Sequence, residues 1–138
     1  MKRNVTISVL GEQYFEGVDP NQTELLTEGT LEKTETGWEL RYEESELTGM
    51  EGTTTIFMVE GEEVTLRREG AVQSEMHFSC GEINTSAYET PYGSLTVEVG
   101  TSFLRVELGE EGGEMEIRYS IAVEHQVTGE NRFLIKVK

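Results

Sequence analysis

Arg68 is the side chain with the clearest chemical promise in this sequence. It follows Val64 and Leu66 at two-residue spacing, so a regular strand carries its guanidinium onto an apolar face. A cation there needs a partner or a ligand, because burying an unsatisfied charge is costly. Arg68 is therefore a candidate anchor for the acidic end of a small amphipathic molecule. The alternatives are an internal salt bridge to a glutamate, or a place at a barrel mouth where the head reaches water. Arg67 falls on the opposite face with Thr65 and is expected to meet solvent. Tyr42 and Tyr119 lie in phase with apolar neighbours, and each would bring one hydroxyl into an oily interior. They would orient a polar head, or simply satisfy each other or the backbone.

Other reactive residue types do not assemble into a recognisable catalyst. Cys80, the single cysteine, shares an alternating face with Met76 and Phe78 and reads as a small buried hydrophobe. A thiolate nucleophile would need His77 or His125 beside it. His77 falls on the other face, and His125 is distant in sequence. Two histidines and one cysteine without paired spacing make a poor metal site. No serine sits in a Gly-x-Ser-x-Gly elbow. The glycines mark turns and form no phosphate-binding loop. Adjacent glutamates such as Glu43 with Glu44 fall in turns and are expected to be solvated, whereas acid–base catalysis needs two carboxylates in one cleft. An enzyme is not expected, and neither is a cofactor.

The elements that must position these residues are strands. Apolar side chains recur at every second position from Val5 to Val137, as in Met115, Ile117, Tyr119, Ile121 and Val123. Such runs are expected at 4–14, 23–33, 38–43, 53–59, 63–68, 71–80, 84–90, 94–99, 102–108, 114–124 and 131–138. Turn residues separate them: Val18 to Asn21, Gly61, Gly70, Gly81, Pro91-Tyr92-Gly93, Gly109 to Gly113, and Thr128-Gly129-Glu130. The polar stretch 43–49 could hold a short helical turn. Connections this short favour antiparallel neighbours. Many short strands in one small domain require a sandwich or a barrel. The reading at this point is all-β: antiparallel strands in a sandwich or a closed barrel, a single domain over residues 1–138. Trp38 is expected to close one end of the core. Thr54 to Val59 is apolar on both faces, so either the chain covers its outer face or a second subunit does.

Charge narrows the partners. The formal net charge is −16, and the acid is nearly all glutamate. Such a field repels nucleic-acid phosphates and anionic membrane surfaces, so neither partner is expected. No run of residues has the length of a membrane helix, and the N-terminus alternates instead of forming a secretion signal. A soluble cytoplasmic protein is expected.

One family resemblance sharpens this. Arg68, Gly70-Ala71-Val72, Phe78, Gly81, Tyr88, Thr90-Pro91-Tyr92-Gly93, Leu95, Thr101 and the later Tyr119 resemble the pattern of the YwiB-like family of uncharacterised bacterial proteins. Length and strand spacing extend the likeness over nearly the whole chain. The resemblance implies an antiparallel up-and-down β-barrel of eight to ten strands, calycin-like (lipocalin-like), and no known reaction. It adds Tyr88, Tyr92 and Thr101 to Arg68 as positions of interest. His77 stands where a relative would show a basic residue. The functional expectation is a lumen that binds an amphipathic or fatty-acid-like anion through Arg68, Tyr42 and Tyr119, with Trp38, Leu40, Met76 and Ile117 lining the rest. The other expectation is a filled barrel that acts through its surface in protein interaction or as a homodimer.

Overall fold

Alternating apolar residues build ten strands. They are β1 (Lys2–Tyr14), β2 (Asn21–Lys33), β3 (Gly37–Glu43), β4 (Thr53–Glu60), β5 (Glu63–Gly70), β6 (Ser74–Ser79), β7 (Ile83–Thr90), β8 (Gly93–Gly109), β9 (Gly112–Val123) and β10 (Gln126–Val137). The computed structural model describes residues 2–14, 21–45, 51–70, 73–90, 93–124 and 126–138, with backbone alone for 21, 86–90 and 126–128. Every strand pairs antiparallel with its sequence neighbours, and β1 also pairs with β10, which closes the barrel. The up-and-down barrel expected from the sequence is the observed fold.

Eleven apolar runs become ten strands because 94–99 and 102–108 belong to one strand, β8. A bulge between Thr101 and Phe103 bends it without ending it. The turn expected at Thr128-Gly129-Glu130 is likewise a bulge, at Val127/Gly129 inside β10. The chain reverses earlier, where Glu124 takes a φ of 50°. Cys80 is exposed, contrary to its reading as a buried hydrophobe. β6 ends at Ser79, so Cys80 enters the turn and leaves the alternation. The turns expected at Val18-Asp19-Pro20 and Pro91-Tyr92, and the helical turn around Leu47 to Gly49, lie outside the described residues.

Register stacks the inward residues into layers. One row crosses the sheet as Leu31, Leu40, Phe57, Leu66 and Met76. The row below it runs Trp38, Val59, Val64 and Phe78. Leu40, Phe57, Val64, Leu66, Phe78, Met115, Ile117 and Ile135 are all fully buried. This half of the barrel, at the end of the β2–β3, β4–β5, β6–β7 and β8–β9 connections, is solid. Trp38 caps it, half-buried, with the Lys33 ammonium 5.3 Å from its ring centroid. Gly29 permits the tight fit: a Cβ there would lie 2.2 Å from the Arg41 carbonyl oxygen and 2.7 Å from Ile7 Cδ1. Ile56, on the outer face of β4, is only 3% exposed. Thr54 and Met58 on the same face are partly exposed.

Candidate functional site

The row above the solid half is polar. It crosses the barrel wall as Tyr42 on β3, Thr55 on β4, Arg68 on β5 and Ser74 on β6. It continues with the backbone positions of Tyr88 on β7 and Leu95 on β8. Six residues on six strands thus fall on one line. Tyr42, Arg68, Ser74 and Leu95 of that line form the floor of a cavity of about 570 Å³. Val9, Leu25, Met76, Val97, Ile121, Val123 and Phe133 form its apolar wall, and Glu12, Gln13, Glu44, Asn131 and Arg132 are its further polar lining. The cavity occupies the end of the barrel where β1–β2, β3–β4, β5–β6, β7–β8 and β9–β10 connect.

Two neighbouring groups on the floor lack hydrogen-bond partners. Arg68 Nε and Ser74 Oγ are buried, and neither has a partner among the described residues. The two residues face each other across the β5–β6 ladder. Ser74 is 8% exposed. Buried donors of this kind are almost always satisfied in native proteins, so an orphaned pair on a cavity wall calls for an explanation. Among the described residues Arg68 makes no salt bridge. The other arginines behave differently. Arg67 Nε reaches Glu75 at 3.1 Å on the outer face, as its phase predicts. Arg132 donates to Glu12 at 2.5 Å and to Glu116 at 3.1 Å.

Neighbouring groups tune this floor. Glu44 is buried, and the Thr55 hydroxyl donates to its Oε1 at 2.6 Å. Burial pushes the Tyr42 hydroxyl well above the ordinary tyrosine value; the Glu44 charge pushes it further, and Arg68 pulls it back. Burial does the same to Tyr119, opposed by Arg68. Both phenols therefore remain neutral, and the Tyr42 hydroxyl donates to Glu44. At the cavity edge, Glu12 is held below its ordinary value, first by the Tyr14 hydroxyl and then by Arg132. Glu116, outside, is lowered chiefly by its bond from Arg132 and then by Arg118.

Arg68, Tyr42 and Tyr119 are thus brought together, as the two-residue phase implied. Met76 also lines the cavity, but Leu40 and Ile117 lie in the solid half and Trp38 caps its far end. Those three were expected along the lumen; facing inward is not enough when half the interior is filled. Thr101 is 4% exposed but lies outside the lining. Its amide donates to Glu82 O and its carbonyl accepts from Gly81 N, so it ties the β6–β7 turn to β8. The side chain of Tyr88, and Tyr92 altogether, lie outside the described residues. Sequence reasoning missed Ser74 and Glu44. Ser74 shares the phase of Met76 and Phe78, which was a usable signal, but only register reveals that it faces Arg68. Glu44 lies past the end of β3, where no period applies.

The chain matches the model of DUF1934, a domain of unknown function, over residues 7–135. It belongs to this family. A relative described as the uncharacterized β-barrel protein YwiB of Bacillus subtilis (strain 168) is 32% identical over 82 residues. That alignment spans 59% of this chain and 56% of the relative, a little over half its length. The crystal structure of the ywiB protein from Bacillus subtilis superposes with a TM-score of 0.78 at 20% identity, over 99% of this chain and 93% of that one. The likeness supports the barrel. No helix among the described residues is long and apolar enough to cross a membrane.

Proposed function

We propose that this DUF1934 barrel binds a small amphipathic anion in its half-open lumen. One observation carries the reading: Arg68 Nε and Ser74 Oγ, buried and without partners, sit side by side on a cavity floor. A carboxylate or sulfonate oxygen seated there would satisfy both, and charge-assisted bonds are the strong ones. The neutral Tyr119 hydroxyl is a further donor to the same head, while Tyr42 gives its proton to Glu44. The apolar wall would hold the body of the ligand. A concave, mostly apolar pocket with a few convergent polar groups is the usual form of a small-molecule site. The resemblance to calycins points to the same use of the lumen. In this reading the protein stores, carries or senses its ligand and catalyses nothing.

The test is titration with 8-anilinonaphthalene-1-sulfonate, an amphipathic anion whose emission rises in apolar sites. Micromolar binding with 1:1 stoichiometry is expected, weakened at least tenfold in Arg68→Ala. Absence of binding by the parent, or equal binding by the variant, removes the anchor role of Arg68.

Self-association has weaker support. The exposed apolar residues Leu26 and Ile83 are 75% and 72% accessible. They lie on β2 and β7, which four strands separate in either direction around the barrel, so they form no shared patch.

A further inference from the structure

Resting on the anion site proposed above, we infer that its ligand is a compact aromatic monoanion, with a body of about two fused rings, and not a long-chain fatty acid. Three features of the cavity carry this.

The first is depth. The solid half of the barrel makes the cavity blind. Its lining runs from Tyr119 to Val123 along β9 and from Val9 to Gln13 along β1. Four residue steps in a strand span about 13 Å. Barrel strands tilt by roughly 35–45°, which leaves about 10 Å along the axis. A long acyl chain is made for a deeper environment: two of them span a hydrocarbon core of about 30 Å, so each reaches about 15 Å. Such a chain would protrude from this cavity or fold back on itself. A naphthalene-sized acid fits within it.

The second is the aromatic surface. Tyr42, Tyr119 and Phe133 line the cavity, and Phe57 and Phe78 stand behind them. Successive ring centroids are 6.5 Å (Tyr42–Phe57), 6.3 Å (Phe57–Phe133), 5.7 Å (Phe133–Tyr119) and 4.8 Å (Tyr119–Phe78). Five rings therefore touch in one continuous run beside the anion site. Aromatic pairs at these spacings gain from ring geometry beyond the area they bury, whereas an acyl chain gains from area alone.

The third is charge balance. Arg68 and Arg132 line the cavity together with the carboxylates of Glu12, Glu44 and Glu75. Arg132 already serves Glu12 and Glu116, so Arg68 is the lining cation without a salt bridge among the described residues. One negative charge on the head can pair with Arg68, whereas a second would meet three carboxylates and no further free cation among the described residues.

The experiment is displacement of 8-anilinonaphthalene-1-sulfonate by 2-naphthoate, 2-naphthyl phosphate and hexadecanoate, the last below its micellar concentration. The expected order places 2-naphthoate about tenfold tighter than either competitor, the size of one good ring contact. Phe133→Leu keeps an apolar side chain and removes a ring. It is expected to weaken 2-naphthoate by about threefold to tenfold and to leave hexadecanoate unchanged. A thermal melt shows whether this variant folds; if it does not, the order on the parent protein decides alone. Hexadecanoate binding as tightly as 2-naphthoate overturns the aromatic class and leaves the anion site standing. The phosphate binding tighter than the carboxylate overturns the single-charge assignment. If neither the sulfonate nor any of the three acids binds, the anion site itself is overturned.

Discussion

Arg68→Met separates a functional arginine from a structural one, because the two roles predict opposite signs. Methionine keeps an unbranched apolar stem of similar reach and removes the orphaned donor. An unsatisfied buried donor costs about 1–3 kcal/mol. Arg68 is half-buried, so part of its head can reach water, and the lower end of that range applies. Glu44 keeps its bond from Thr55 in the variant. The ligand-free variant is therefore expected to be about 1 kcal/mol more stable than the parent. A chain of 138 residues unfolds with an entropy of about 0.3 kcal/mol/K, so the melting temperature should rise by about 3 °C. Ligand reverses the order. A ligand at one hundred times its Kd adds about 2.7 kcal/mol to the parent. Loss of a charged hydrogen bond, about 1.5–3 kcal/mol, weakens binding by roughly ten- to a hundredfold and leaves the variant with under half that gain. The parent should then be the more stable protein by about 1 kcal/mol. Differential scanning calorimetry with and without the naphthalene sulfonate, in a buffer free of carboxylates, reads both comparisons. A variant that is less stable without ligand and unchanged in affinity would refute the reasoning. Arg68 would then be a structural cation.

Three further outcomes follow from the geometry. Gly29→Ala should cost about 1–3 kcal/mol, seen as a lowered urea midpoint, because the new methyl meets the Arg41 carbonyl and Ile7 at distances no real side chain holds. In an alkaline titration followed by tyrosine absorbance, Tyr42 and Tyr119 should stay un-ionised past the pH at which a free tyrosine titrates, since burial raises both. Their preference for the folded state is fully present below the ordinary tyrosine value and is lost as pH rises through the raised one, so base should unfold the protein cooperatively as they ionise; ionisation of all tyrosines at one ordinary value would contradict this. β6 and β7 share a single register pair, Ser74 with Tyr88, while β8 and β9 pair along their whole length. Amide hydrogen exchange should therefore be faster at 76–78 and 84–87 than in 113–121, and uniform protection around the barrel would count against that seam.

The face on which each side chain falls was legible from the sequence, and so was the closed all-β architecture. Alternation is fixed within a strand by covalent geometry, so Arg68, Tyr42 and Tyr119 could be turned inward before any neighbour was known. Short connections then left antiparallel neighbours as the natural pairing. Tertiary structure alone decided what those inward residues meet. Register placed Ser74 opposite Arg68 and drew Tyr42, Thr55, Arg68 and Ser74 into one row. Packing filled one half of the interior and left the other hollow, so Leu40 and Ile117 became core while Met76 became lining. A bulge merged two apolar runs into β8, and a strand that ended one residue early turned Cys80 outward. These outcomes depend on sums over ten strands, since volume and pairing belong to the assembled wall and to no single segment of it.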